Sequence, residues 1–204
     1  MRDKNSRSKN KKLREKYERF MLPVGRAVAK VGLTPNQITL IAFILGLIPI
    51  YFGYIRNFKW LVITFVIAVI FDVLDGNVAR ALGKATRFGK VLDHTVDRYV
   101  EFFLILALTI GGYLDAKIAV FSIFGMLMPS YIRGKGEAEC KVEGAGVGFY
   151  ERKEKIITIL VGLITFWLGY YREFIINLTV FITGLMSHIT AFQRLVYYRK
   201  NCKE

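Results

Sequence analysis

The chain has 204 residues, 53% of them hydrophobic, and its 30 Lys and Arg against 16 Asp and Glu give a formal net charge of +14. The apolar residues come in long blocks, which excludes an ordinary soluble domain and reads as a polytopic membrane protein. No basic soluble region exists to hold a duplex, so the charge suits anionic lipid or a phosphorylated substrate and excludes nucleic acid as a partner.

Residues 1–12, MRDKNSRSKNKK, read as a disordered basic arm. The first twenty residues are too charged to contain the apolar core of a cleavable signal. Residues 13–34 read as an amphipathic juxtamembrane helix. Leu13, Tyr17, Phe20, Met21, Val24 and Val28 can share one face, Arg14, Lys16, Arg19 and Arg26 fall mostly elsewhere, and Pro23 kinks or breaks the helix. GLTPNQ is a turn signal. Residues 35–204 then form one membrane domain with no internal repeat. Its six apolar segments run roughly over 37–56, 59–82, 92–113, 116–138, 149–170 and 173–198. Each is long enough, or nearly so, to cross about 30 Å of hydrocarbon. The expected fold class is therefore all-α, with six transmembrane helices after a surface helix. The connections YIRNFK, GYLDAK and YYREF hold few basic residues, whereas the arm, the region around 80–90, the loop 133–155 and the C-terminus hold many. Positive-inside orientation puts both termini and the segment 71–99 on the cytoplasmic side of the cell membrane. GEAECKVEGAGVG is Gly- and Glu-rich and is expected to be mobile. Cys140 and Cys202 lack CxxC spacing and read as neither a zinc site nor a disulfide framework.

The stretch FDVLDGNVARALGKATRFGKVLDHTVDRY, residues 71–99, carries the chemistry. Carboxylates near a bilayer are costly and mark function. Asp72 and Asp75 are three apart, so they share a helix face, and Gly76 and Ala79 continue it with almost no side chain. Asp93 and Asp97 are four apart on the next helix. Two antiparallel helices thus bring two pairs of carboxylates together, which would repel one another without a cation among them. Oxygen-only ligands suit magnesium or manganese rather than zinc, and two such ions would make a clamp for phosphoryl transfer. Helix-end aspartates that are merely solvated are the alternative. His94 points off the carboxylate face. Glu101, one turn beyond Asp97, either orients the pocket or pairs with a nearby Lys.

Asp72, Asp75, Gly76, Ala79, Arg80, Gly89, Asp93 and Asp97 fit D-x2-D-G-x2-A-R-x8-G-x3-D-x3-D without departure. In this the chain resembles the CDP-alcohol phosphotransferase family. The resemblance implies that Asp72, Asp75, Asp93 and Asp97 hold two Mg2+ ions, with Mn2+ as a substitute, and that Asp97 is also the general base. It implies that Gly76, Ala79, Arg80 and Gly89 form the face receiving the cytidine diphosphate, with Thr86 contacting the nucleotide. TPNQIT resembles the family's entry to the first span, which places Asn36 and Thr39 beside the cytidine. The activity implied is phospholipid biosynthesis: a phosphatidyl-type group passes from CDP-diacylglycerol or CDP-archaeol to an alcohol, and CMP is released.

The basic residues bear on the alcohol. Arg133 and Lys135 end the fourth segment, Arg152, Lys153 and Lys155 begin the fifth, and Arg194 lies near the end of the sixth. Each alone reads as ordinary snorkelling, but together they could line a phosphate pocket, with Arg133, Lys135, Arg152, Lys155 and Arg194 as its candidates. These segments resemble the branch that makes phosphatidylinositol or archaetidylinositol phosphate, with Lys155 standing where an arginine is common. Inositol phosphate is therefore the expected acceptor. The alternatives are glycerol phosphate or another alcohol within the same chemistry and, from another class, a cation transporter using the aspartates. The oligomeric state, a homodimer included, stays open.

Overall fold

A computed structural model of the chain describes Pro23, Gly32 and residues 34–81, 86–170 and 172–202, with the side chains of all of these except 73, 75–81, 172 and 173. The expected arm over 1–12 and nearly all of the surface helix over 13–34 lie outside the described residues. Among the described residues the structure is helical, with no strand. The helices are α1 (Pro35–Tyr54), α2 (Phe58–Ala81), α3 (Arg87–Ile110), α4 (Ala116–Cys140), α5 (Arg152–Trp167) and α6 (Arg172–Asn201). They occupy the six apolar segments in order.

Local chemistry sets their starts. Thr34 and Gln37 cap α1 reciprocally: the Thr34 N–H donates to Gln37 Oε1 at 2.8 Å and the Gln37 N–H to Thr34 Oγ1 at 3.4 Å. Pro35 follows at the first helical position, where its missing N–H costs nothing. Asn57 accepts from the Trp60 N–H at 3.3 Å and opens α2. Thr86 does the same for α3, accepting from the Gly89 N–H at 2.9 Å, so this helix begins five residues before the apolar segment at 92. Asp115 opens α4 by accepting from the Lys117 and Ile118 N–H groups at 2.8 and 3.3 Å.

The helices divide into two compact units, one of Met1–Pro49 with Ile63–Phe103 and one of Ile50–Val62 with Leu104–Glu204. In the first, α1 packs on α3 through Phe43, whose ring meets Tyr99 and Phe103 edge-on at 5.5 and 5.4 Å. In the second, small residues let α4 and α6 approach closely. A Cβ on Gly184 would lie 2.6 Å from Ser122 Cα, and one on Gly125 would lie 2.6 Å from the Gly184 carbonyl. Ser122 Oγ donates to Val180 O at 3.0 Å across the same seam. Small residues with a polar bond between them are how helices associate where no hydrophobic drive exists.

Along α6 hydroxyl side chains join Ile176 and Val180 on the buried side, and large apolar residues also face outward. Thr179, Thr183, Ser187 and Thr190 are buried, while Phe174, Phe181, Leu185, Ile189 and Phe192 are exposed. The hydroxyls of Thr179, Thr183 and Ser187 each bond a carbonyl one turn back, at 2.7–2.8 Å. A helix with polar residues inward and large apolar residues outward is matched to lipid, not water. By length and composition, two helical segments clearly suffice to cross a membrane, Pro35–Tyr54 and Phe174–Asn201.

The segment 136–148 is held, contrary to the expectation of mobility. Residues 136–140 complete α4, and α6 ties down the loop beyond them. Tyr197 Oη donates to Glu143 O at 3.1 Å, Arg194 Nε to Val147 O at 2.8 Å, and the Phe149 N–H to Gln193 Oε1 at 3.3 Å. The Gly144 N–H donates to Glu137 Oε1 at 3.0 Å. The cysteines also depart from expectation: Cys140 and Cys202 form a disulfide. Their sequence spacing gave no hint, because α4 and α6 bring their ends together in space.

Candidate metal centre

Three of the four aspartates meet. Asp72 comes from α2, Asp93 and Asp97 from one face of α3, and one carboxylate oxygen from each lies within 4.8 Å of the others. Asp72 and Asp97 are only 2% and 4% exposed. The side chain of Asp75 lies outside the described residues. Clustered carboxylates removed from water are unfavourable unless positive charge accompanies them. Their all-oxygen donor set and close approach fit a hard divalent cation.

Two neighbours complete this surrounding. His94 is exposed, with Nδ1 3.9 Å from Asp97 Oδ2. Glu101 is buried and pairs with Arg98, at 3.0 Å between Nη1 and Oε2. The other arm of Arg98 reaches Asp97 Oδ2 at 3.6 Å. Arg98 is not among the residues singled out from the sequence. The signal was its place three residues before Glu101, the spacing at which opposite charges meet on a helix.

Three residues expected at the nucleotide converge. A Cβ on Gly89 would lie 2.9 Å from Thr86 Oγ1 and 3.1 Å from Asn36 Oδ1. The starts of α1 and α3 therefore bring a hydroxyl, an amide and bare backbone together. Thr39 differs: it is buried, and its hydroxyl donates to Pro35 O of its own helix at 3.1 Å. The side chains of Ala79 and Arg80, and whatever faces Gly76, lie outside the described residues.

The basic candidates all lie in the second unit. Arg133 Nε donates to Glu137 Oε1 at 2.9 Å. Lys135 is exposed and pairs with Glu139 at 3.7 Å. Arg152 opens α5. Lys155 is buried, its Nζ donating to Met126 O at 3.0 Å. Arg194 is buried as well, and its Nη1 donates to Pro129 O at 2.7 Å. Lys155 and Arg194 thus tie α4, α5 and α6 together through carbonyls, a structural task invisible in sequence.

Known proteins match this arrangement. The chain is 30% identical over 194 residues to the archaetidylinositol phosphate synthase of Pyrococcus horikoshii, covering 93% of this chain and 96% of that protein. It is 30% identical over 192 residues to the phosphatidylinositol phosphate synthase of Mycolicibacterium smegmatis, covering 89% and 85%. The crystal structure of Mycobacterium tuberculosis phosphatidylinositol phosphate synthase (PgsA1) with CDP-DAG bound is similar at a TM-score of 0.75 and 26% identity, over 88% of this chain and 94% of that one. The complex of that enzyme with manganese and citrate is similar at 0.73 and 26%, over 88% of each. The family described as CDP-alcohol phosphatidyltransferase matches residues 32–185, most of the chain and the whole of the aspartate stretch, and the chain belongs to that family.

Proposed function

We propose that this enzyme transfers the phosphatidyl-type group of a CDP-linked lipid to inositol phosphate and releases CMP. The observation that carries this is the cluster of Asp72, Asp93 and Asp97 within 4.8 Å, in a chain whose similar proteins are named as inositol phosphate lipid synthases. Asp72, Asp75, Asp93 and Asp97 would hold two Mg2+ or Mn2+ ions, which when bound neutralise a pyrophosphate. Asp97 accepts the proton of the acceptor hydroxyl, whose oxygen attacks the lipid-side phosphorus as the bond to CMP breaks. Asn36, Thr86 and Gly89 offer donors and close backbone to the cytidine diphosphate, and Thr39, Gly76, Ala79 and Arg80 are the further residues assigned to it. Arg133, Lys135, Arg152, Lys155 and Arg194 supply the positive charge that an anionic acceptor needs beside an anionic donor.

The enzyme would cross the membrane six times, behind the surface helix of residues 13–34. Both termini and the aspartates would face the cytoplasm, where CDP and inositol phosphate head groups are soluble. The large apolar residues exposed along α6, Phe174, Phe181 and Phe192 among them, support a lipid setting.

The test is purified full-length protein in detergent with Mg2+ and a CDP-lipid, offered inositol phosphate, inositol, glycerol phosphate and serine while CMP is measured. CMP release with inositol phosphate well above the others is expected. Preference for glycerol phosphate would keep the reaction and overturn the acceptor. Release with no acceptor discrimination, or none at all, would overturn the reading.

A further inference from the structure

Asp97 and Glu101 stand one turn apart on the same face of α3, and both are buried. Two carboxylates so placed repel each other, and Glu101 lies within one turn of becoming a further ligand to the aspartate cluster. Yet the cluster found among the described residues consists of Asp72, Asp93 and Asp97. Arg98 accounts for the difference. Its guanidinium reaches round the helix to lie between the two, with Nη1 3.0 Å from Glu101 Oε2 and Nη2 3.6 Å from Asp97 Oδ2. The shorter contact is the one to Glu101, so Glu101 anchors the fork and the fork approaches Asp97 from its Oδ2 side. The side chains of Arg98, Asp97 and Glu101 are 17%, 5% and 9% exposed, which weakens solvent screening and strengthens the hold. A planar guanidinium engages two carboxylates in fixed directions, whereas a lysine ammonium supplies the charge without the fixed fork.

We propose that Arg98 is a positioning residue for Asp97, clamped in place by Glu101. The pair sets the plane of the Asp97 carboxylate, and it keeps Glu101 out of the cluster. This rests on the transferase reading above and adds two residues to it.

The test uses the full-length protein with Arg98→Ala, Arg98→Lys, Glu101→Gln and the Arg98→Ala/Glu101→Gln double variant. Turnover is read by CMP release, and the centre is probed separately with MnCl2 by calorimetry and electron paramagnetic resonance. Arg98→Ala is expected to lower kcat by about 10- to 100-fold, the usual effect of losing a partner that orients a ligand, with the KM for CDP-lipid little changed. Arg98→Lys should recover part of the rate. Glu101→Gln should act in the same direction as Arg98→Ala, and the double variant should be no worse than Arg98→Ala, because Glu101 acts through Arg98. The Mn2+ stoichiometry should be unchanged in Arg98→Ala while the spectral line shape changes. Unchanged kcat, a lysine variant no better than alanine, additive losses in the double variant, or superimposable Mn2+ spectra would each overturn the assignment. Should Arg98→Ala fail to fold, Glu101→Gln decides alone: wild-type kcat with a wild-type Mn2+ spectrum overturns it. Silence of the wild-type enzyme towards every acceptor would instead fail the transferase reading, and the Mn2+ spectra would still judge Arg98.

Discussion

Arg194 on α6 donates to the carbonyl of Pro129 on α4 at 2.7 Å, from a side chain that is itself buried. Its Nε holds Val147 O at 2.8 Å, so one guanidinium joins two helices and a loop. Arg194→Ala removes two charge-assisted bonds, each worth about 1.5–3 kcal/mol, and leaves carbonyls buried. A lower melting temperature is expected along with weaker use of inositol phosphate. Thermal unfolding and acceptor KM measured on the same preparation check both. Unchanged stability would show that these bonds add nothing to the fold.

Gly89→Ala tests the nucleotide face. The new Cβ would lie 2.9 Å from Thr86 Oγ1 and 3.1 Å from Asn36 Oδ1, so both must shift. The KM for CDP-lipid should rise while the acceptor KM stays put. Equal changes in the two would argue against this face as the nucleotide site.

The buried aspartates should separate by role. Asp97→Asn is expected to cut CMP release by at least ~100-fold, the scale of a lost general base, while CDP-lipid still binds. Asp72→Asn should lose turnover and nucleotide binding together. Normal nucleotide binding by Asp72→Asn, or near wild-type turnover by Asp97→Asn, would refute the respective role.

Chelation gives a simpler check on the same cluster. With excess EDTA, CMP release should fall to background, and added Mg2+ or Mn2+ should restore it. Undiminished release in EDTA would mean that the three carboxylates hold no ion essential to the reaction.

The Cys140–Cys202 disulfide spans 62 residues. Closing a loop of that length restricts the denatured chain by about 4 kcal/mol in the entropic account. Reductant should lower the melting temperature of the wild type and leave Cys202→Ser unmoved. Equal melting temperatures of the two proteins without reductant would exclude a stabilising bridge.

The six helices were legible because each is a long apolar block set off by polar connections, and a turn signal such as GLTPNQ marks where the first begins. The aspartate cluster was legible for a related reason: i, i+4 spacing fixes which residues share a face before any fold is known. Arg98 escaped notice because its i, i+3 spacing to Glu101 reads as an ordinary helix ion pair, and only the fold shows that the pair is largely buried and reaches Asp97. Lys155 and Arg194 read as pocket candidates, and their bonds to the carbonyls of Met126 and Pro129 depend on which helices are neighbours. The loop after α4 misled through its glycines. Gly144 is there because Tyr198 occupies the space a side chain would need, so its presence signals crowding, not slack.

The same disulfide changes what a broken chain would look like. Cys140 and Cys202 enclose the loop 141–151, all of α5 and all of α6 in a covalent ring. A protease that cuts once inside the ring opens the backbone but releases nothing, since both halves remain joined through sulfur. Cleaved enzyme would run at full mass on a non-reducing gel and fall into two fragments only after thiol treatment. Both ends of the cut would stay tethered to helices packed against each other, which favours re-closure of the bundle over loss of a piece.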